Sequence, residues 1–210
     1  MNYTEKTYYY DYDSPVIKDI IKDVEHLTSQ QEIIEQLYLK VRDGWRYLPF
    51  NIGLTKAHFK ASNIAKKPDG HCIDKAILYI ACLRAFNIPA RLHLAKVSNH
   101  IATERLEKVI GTNELAPHGL VDVFYNGKWV KCSPAFNKEL CAIYNVDVLD
   151  FNGTEDAVMQ EYNKDDHKFM TYIEDYGHFE DVPLEFIKDT FKSNYPSLYE
   201  RFKGQDHITV

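Results

Sequence analysis

The dipeptide Asn126-Gly127, between two segments of alternating apolar and polar residues, is the feature that most constrains the fold. Asn-Gly is the strongest short signal for a β-hairpin, because both central residues of its two-residue turn adopt positive φ angles. Such a turn pairs Tyr125 with Lys128. The hairpin therefore predicts two antiparallel strands, at residues 118–125 and 128–133.

The register of this hairpin brings two polar side chains near each other. Counting back from the turn, Leu120 lies opposite Ser133 and His118 lies opposite Ala135. Directly opposed residues point to the same side of a sheet. His118 and Ser133 therefore share a face as diagonal neighbours, with their Cα atoms roughly 7–8 Å apart. Ser133 is thus placed to orient the imidazole.

A cysteine, Cys72, lies where a polar loop gives way to an apolar segment. Residues 72–86 have few polar interruptions, which predicts a largely buried helix that begins at Cys72. At a helix N-terminus, the peptide dipoles and the free N–H groups favour the thiolate over the thiol. A histidine on a strand is the usual base for such a thiol, and His118 is the candidate.

The remaining segments predict helices before Cys72 and mixed structure after it. Ser14 and Pro15 are typical of a helix start, and apolar residues follow at helical spacing over 15–27. A capping-box pattern at 29–32 opens a second helix. Residues 90–97 are expected to form a strand, followed by a long connection at 98–117 with a short helix near 102–110 as one option. In the C-terminal third, we expect a strand at 168–173 and a last helix at 183–192.

The charge of the chain is distributed unevenly. A formal net charge of −6 argues against a nucleic-acid partner held by phosphate contacts. Residues 1–137 carry 18 Lys+Arg and 15 Asp+Glu, whereas residues 138–210 carry 7 and 16. The 210 residues are enough for one globular domain with its own core. We therefore expect a core at 1–137, with an acidic C-terminal extension at 138–210 packed on it as a single compact unit.

The cysteines and histidines give no metal pattern. No C-x-x-C spacing occurs among Cys72, Cys82, Cys132 and Cys141. His93 and His100 lie seven residues apart and are not expected to form a metal site. The N-terminal residues lack the apolar segment of a signal peptide, and no stretch reaches the ~18–20 apolar residues of a membrane span. These observations predict a soluble, cytoplasmic protein with reduced thiols and no membrane partner.

Taken together, these motifs resemble those of the transglutaminase-like (papain-like) cysteine proteins. The resemblance covers about residues 30–135. It is carried by residues 70–91 (GHCIDKAILYIACLRAFNIPAR), 118–123 (HGLVDV) and 127–130 (GKWV), and by Arg42, Trp45, Arg46 and Tyr47. The resemblance implies an α+β fold in which a nucleophile helix packs on an antiparallel sheet, here with N-terminal helices before it. By position it implies Cys72 as nucleophile and His118 as base, with no cofactor.

Ser133 departs from the family pattern, which has an Asp four residues after the tryptophan. Serine can accept the imidazole N–H bond, but it carries no charge to stabilise an imidazolium. Replacing the charged partner of a triad can cost roughly 10⁴ in rate, although a neutral Asn serves in papain-type sites. Asp122 lies four residues along the same strand from His118, roughly 13 Å away, and is not expected to substitute. Asn137 or an acid from the C-terminal third stays open as an alternative.

Other residues near the motifs have structural interpretations. Cys82 lies in the body of the predicted helix and Cys132 on the sheet face opposite Ser133, so both are expected in the core. His71 is expected to be a loop residue beside the thiol. Tyr47 is expected to pack in the core, with binding of a carbonyl oxygen as the alternative.

The sequence therefore predicts a thiol-dependent amide or peptide hydrolase, or acyl transferase, that acts through a Cys72 thioester on a peptide, a protein or a small amide. The rival hypothesis is a non-catalytic member of the same fold that binds a peptide or protein in the groove, and Ser133 favours it. A weaker third hypothesis is a thiol enzyme like an N-acetyltransferase, but the sequence has no nucleotide-binding signal.

Overall fold

The structure, a computed structural model, describes residues 3–49, 51–101, 107–108, 110–202 and 208–209. It is an α+β fold. The helices are α1 (Pro15–Ile21), α2 (Gln30–Gly44), α3 (Ala61–Ile64), α4 (Cys72–Ala85), α5 (Lys138–Ile143), α6 (Leu184–Asn194) and α7 (Pro196–Phe202). The strands are β1 (Arg46–Tyr47), β2 (Asn51–Ile52), β3 (Asp69–Gly70), β4 (Ala90–Asn99), β5 (Glu114–Tyr125), β6 (Lys128–Cys132), β7 (Met170–Phe179) and β8 (Ile208–Thr209).

A four-stranded antiparallel sheet with the order β6-β5-β4-β7 forms the centre of the fold. Its fourth strand, β7, comes from the acidic C-terminal segment. Two short pairs accompany the sheet, because β1 pairs with β3 in parallel and β2 pairs with β8 in the antiparallel sense.

The hairpin has the predicted register. Tyr125 lies opposite Lys128, and the pairing ends with Val121 opposite Cys132, so the predicted pairs of Leu120 with Ser133 and of His118 with Ala135 lie beyond the observed ladder. Asn126 and Gly127 have φ angles of 50° and 81°, as this two-residue turn requires. Because the turn is local in sequence, the pairing of β5 with β6 was predictable without knowledge of the rest of the fold.

Helix α4 forms the centre of the core. It packs between α2 and the sheet, and its apolar side chains are buried on all sides. The buried ammonium of Lys75 donates hydrogen bonds to the carbonyl oxygens of Arg42, Trp45 and Ala135, each at 2.7 Å. These three bonds join the end of α2, the start of α4 and the segment that follows β6.

Several boundaries differ from the predictions. The α-helix expected over 15–27 ends at Ile21 and continues as a 3₁₀ turn at Lys22–Val24. Ser29 caps α2 by accepting a hydrogen bond from the Glu32 N–H. The strand expected at 168–173 is the longer β7, which is extended by its pairing with β4. The short helix considered near 102–110 lies in large part outside the described residues.

None of the helices in the described part of the chain is long and apolar enough to cross a membrane.

Candidate functional site: the start of helix α4

The side chain of His71 caps helix α4 and so places Cys72 at its first position. The ring of His71 accepts a hydrogen bond from the Ile73 N–H, and the Asp74 carboxylate accepts one from the His71 N–H at 3.1 Å. Such a reciprocal pair satisfies two of the N–H groups that a helix start leaves unpaired. His71 is therefore a loop residue beside the thiol, as predicted, and its side chain caps the helix that carries Cys72.

A second histidine, His58, contacts the Asp74 carboxylate of this cap. The Nε2 atom of His58 lies 2.8 Å from Asp74 Oδ1, and its Nδ1 atom lies 3.1 Å from Lys67 Nζ. Burial opposes ionisation of Asp74, but the contacts with His58 and His71 outweigh it and lower the pKa of this carboxyl. Neither His58 nor Asp74 was predicted from the sequence to be part of the site. The spacing of His71 and Asp74 was a usable signal for the cap, whereas His58 comes from a distant loop.

The Cys72 thiol is enclosed, with 1% of the residue exposed. Its Sγ atom accepts a hydrogen bond from the Gly119 N–H at 3.4 Å and lies 3.6 Å from each ring nitrogen of His71. Burial raises the pKa of the thiol to about 12, against the opposing effect of the N–H groups of Gly119, Ile73 and Cys72 itself. In this closed arrangement the thiol is neutral.

Gly119 allows helix α4 to approach strand β5 this closely. A Cβ atom at position 119 would lie 2.7 Å from the Ile73 Cα atom, a distance that no side chain can occupy. The absence of a side chain thus lets the Gly119 N–H reach the Cys72 thiol. Because His118 precedes Gly119, the predicted histidine strand does pack against the predicted nucleophile helix.

His118 is as enclosed as the thiol, with 3% of the residue exposed. Its Nδ1 atom is buried and has no hydrogen-bond partner among the described residues. Burial, with a smaller effect of His71, lowers the pKa of His118 to about 3. The hydrogen bonds of the described residues include none between Cys72 and His118. Two neutral groups therefore lie on adjoining segments without forming an ion pair.

Ser133 lies on the predicted side of the sheet. Ser133, His118 and Gln160 line one small cavity. The backbone of Ser133 is held firmly, since its N–H donates to the Ala157 carbonyl and its own carbonyl accepts from the Tyr38 hydroxyl. The hairpin register thus brings His118 and Ser133 to a common space.

Two other side chains that were considered as partners of the His118 imidazole, Asn137 and Asp122, are paired with other groups. Asn137 accepts a hydrogen bond from the Tyr47 N–H at 3.0 Å and donates to Glu139 at 2.6 Å. Asp122 pairs with Arg91 at 2.9 Å. Neither side chain has a hydrogen bond to the imidazole of His118 in the described part of the molecule.

Tyr47 lies beside the nucleophile. It is buried, its ring packs edge-on against Phe136 with centroids 5.0 Å apart, and its backbone is fixed by Asn137. Burial raises the pKa of its hydroxyl well above the ordinary value, and the Cys72 thiol adds to this effect. A neutral hydroxyl next to the thiol is a donor that could bind a carbonyl oxygen.

A cysteine at a helix start, with a histidine strand packed on that helix, defines the papain-like class of folds. The sequence profile of the Transglutaminase-like superfamily (Transglut_core) matches residues 18–134, which is more than half of the chain. The chain belongs to this superfamily. The match includes Cys72, His118 and Ser133.

Comparison with solved structures finds a crystal structure of a Cytophaga hutchinsonii protein described as a "Putative Cysteine Protease". It has 19% sequence identity to this chain and a TM-score of 0.43. The match covers 63% of this chain and 40% of that protein, so the chain spans less than half the length of this neighbour. No curated protein matches the chain.

Proposed function

We propose that this protein is a thiol-dependent amide or peptide hydrolase, or acyl transferase, with Cys72 as nucleophile and His118 as base. One observation carries the proposal: the Cys72 thiol, at the first position of α4, accepts a hydrogen bond from the N–H of the residue that follows His118. This contact places the thiol against the histidine strand and gives the sulfur a donor that stabilises negative charge.

In the proposed reaction, His118 takes the thiol proton and Sγ attacks the carbonyl carbon of the amide. The Cys72 N–H and the Tyr47 hydroxyl donate hydrogen bonds to the carbonyl oxygen as it gains negative charge. The tetrahedral intermediate collapses, the C–N bond breaks, and the amine leaves with the proton from His118. Water then attacks the thioester while His118 takes its proton, which releases the carboxylic acid and returns the thiol.

Catalysis requires a more open arrangement than the one described. With pKa values of about 12 for Cys72 and about 3 for His118, the enclosed pair holds its proton on sulfur. Admission of water or of a polar substrate removes part of the desolvation that separates the two pKa values. The proposal is therefore that opening of the site to water or to substrate, rather than the closed geometry, produces the thiolate–imidazolium pair.

The proposed substrate is a peptide, a protein or a small amide, and the acceptor is water rather than an amine. Four free, buried cysteines suit a reducing compartment, and we place the protein in the cytoplasm on that basis. No step in the proposed reaction needs a cofactor.

The rate of alkylation by iodoacetamide from pH 5 to 9 tests this proposal, in wild type and in His118→Ala. If His118 forms an ion pair with the thiol, Cys72 is labelled at pH 6 at least about tenfold faster than glutathione, and the excess disappears in the variant. Cys82, fully buried in the same helix, is the internal control. The enzyme proposal would be refuted if Cys72 were alkylated at the rate of an ordinary thiol and if His118→Ala did not change that rate.

The second candidate is a non-catalytic member of the superfamily that binds a peptide or protein in the groove. The observation that favours it is Ser133, together with a thiol and an imidazole that are both neutral in the closed arrangement. This candidate predicts ordinary thiol chemistry at Cys72, so the alkylation experiment separates the two.

A further inference from the structure

An apolar pocket is lined by the sequence neighbours of Cys72 and of His118. In this closed arrangement its cavity volume is about 30 Å³, and the cavity opens to solvent at its mouth. Its walls include His71 and Ile73, the two residues that flank Cys72. They also include Ala116 and Pro117, which directly precede His118.

The lining of this pocket is almost entirely apolar. The residues that line it include Leu54, Phe59, Leu115, Ile187 and Phe191, and no Asp, Glu, Lys or Arg is among its lining residues in the described part of the chain. A charged side chain placed there would lose its hydration without gaining a partner. An aliphatic or aromatic side chain would instead gain from the removal of its surface from water.

One wall of the pocket comes from outside the region that matches the superfamily. Ile187, Phe191 and Tyr195 belong to helix α6 and its C-terminal end, whereas the superfamily profile ends at residue 134. All three residues are buried. The acidic C-terminal segment thus supplies a part of the surroundings of Cys72 that the matched region lacks.

The hydroxyl of Tyr195 fixes this wall to the strand that carries His118. It accepts a hydrogen bond from the Ala116 N–H at 2.7 Å and donates one to the Glu114 carbonyl at 2.8 Å. These bonds tie the end of α6 to β5 a few residues before His118. The pocket wall and the proposed base are therefore held in one arrangement.

We propose that this pocket binds a large apolar side chain of the acyl donor, and that the C-terminal helices set this specificity. The inference rests on the proposed function, since it names the substrate class of the same site. The acyl donor is an amide whose carbonyl carbon lies at Cys72 and whose adjacent apolar side chain, such as that of leucine, enters the pocket when the site opens.

Two chloromethyl ketones that differ only in this side chain test the proposal on the full chain: acetyl-leucine and acetyl-glycine chloromethyl ketone. In each, Sγ forms a bond to the methylene carbon, chloride leaves, and His118 takes the thiol proton. Because each added methylene in an apolar pocket changes rates by roughly 10-fold or more, the leucine reagent is expected to label Cys72 at least about tenfold faster.

Variants of Leu54, a half-buried loop residue in the pocket wall, are the matched probes. Leu54→Asp places a charge in the pocket and Leu54→Trp fills it. Both variants should therefore lower the ratio of the leucine rate to the glycine rate toward the ratio that the two reagents show with glutathione. Leu39→Asp, at an equally half-buried leucine of α2 that lines a different cavity, retains the preference.

The outcomes separate the two proposals. Fast labelling of Cys72 by both reagents at equal rates overturns the pocket assignment alone, and so does a preference that survives both Leu54 variants. Labelling of Cys72 by neither reagent above the glutathione rate overturns the proposed function and the pocket assignment with it.

Discussion

Two histidines on neighbouring strands, His93 of β4 and His118 of β5, have the same burial and opposite surroundings. Each is 3% exposed. His93 lies opposite Leu120 in the ladder, and Ala95 lies opposite His118, so the two imidazoles project from the same face of the sheet.

His93 lies between two carboxylates. Its Nδ1 atom is 3.3 Å from Asp122 Oδ2, and its Nε2 atom is 2.8 Å from Asp175 Oδ1. Each ring nitrogen of His93 thus has a carboxylate oxygen as a partner. Because Asp175 belongs to β7, the charged cluster fastens the C-terminal segment to the central sheet.

His118 has no such partners. Its Nδ1 atom is unpaired within the described residues, and it shares its cavity with the neutral Ser133. In this fold the carboxylates of Asp122 and Asp175 thus hold neighbouring strands together, and the proposed catalytic imidazole has no carboxylate beside it. An imidazole that is not committed to a carboxylate remains available to take a proton.

The largest expected effect comes from removing each histidine in turn. His118→Ala is expected to lower the rate of Cys72 labelling at pH 6 by about 100-fold, because a positioned general base contributes roughly 10²–10⁴. His93→Gln is expected to change that rate less than threefold. Peptide mapping after iodoacetamide labelling measures both variants, and equal losses would show that the two histidines do not differ in role.

Substitution of His93 should lower the stability of the fold more than substitution of His118, which is the reverse of their order in labelling rate. His93→Leu removes the ring that joins Asp122 to Asp175, although these carboxylates keep Arg91 and Lys131 as partners, and is expected to lower the free energy of unfolding by about 2 kcal/mol. The loss is moderated because the Asp175 side chain is 48% exposed. His118→Leu removes a ring nitrogen that already lacks a partner, so it should cost less than about 1 kcal/mol. Urea unfolding of the two variants measures the difference between their free energies of unfolding.

Ser133→Asp gives His118 the kind of partner that His93 already has. The new carboxylate stabilises an imidazolium, so the rate of Cys72 labelling at pH 6 is expected to rise about tenfold and the pKa of His118 to rise. Ser133→Asn, of the same shape without the charge, is the control. An NMR titration of the His118 ring reports the pKa, and an unchanged value in Ser133→Asp would show that residue 133 does not reach the imidazole.

The smallest expected effect is on the pH dependence of stability. His118 has a folded pKa of about 3 and an unfolded pKa of about 6.5, so the unfolded chain binds one more proton between these values. Its contribution is therefore fully present above pH 6.5 and is lost as the pH falls toward 3. The buried His71, with a pKa lowered to about 4, acts in the same direction.

Between pH 4.5 and 6, each such proton contributes a slope of about 1.4 kcal/mol per pH unit to the free energy of unfolding. His118→Gln should lower the measured slope by about that amount. A slope that is identical in wild type and His118→Gln would mean that His118 is not buried as a neutral ring.

The difference between the two histidines also shows which parts of the structure the sequence could predict. The pairing of β5 with β6, and with it the common side of His118 and Ser133, follows from the local turn at Asn126 and Gly127. The start of α4 at Cys72 likewise follows from the change from polar to apolar residues.

Contacts between distant segments were beyond the reach of the sequence. The approach of Asp175 to His93 needs the pairing of β7 with β4, and the Tyr195 bonds to β5 join residues about 80 positions apart. Nothing local encodes these pairings. Burial of the thiol was also unpredictable, because the helix dipole favours a thiolate while enclosure by distant residues raises the pKa of Cys72.

The central claim is that Cys72 accepts an acyl group with help from His118. The most direct test is a brief reaction with p-nitrophenyl acetate, followed by measurement of the mass of the intact protein. The thiolate displaces p-nitrophenolate, so the account predicts one added acetyl group that maps to Cys72, is released by hydroxylamine, is absent in Cys72→Ser, and forms at least about tenfold more slowly in His118→Ala. An acetyl group spread over other residues, or a Cys72 that acquires none, would contradict the account.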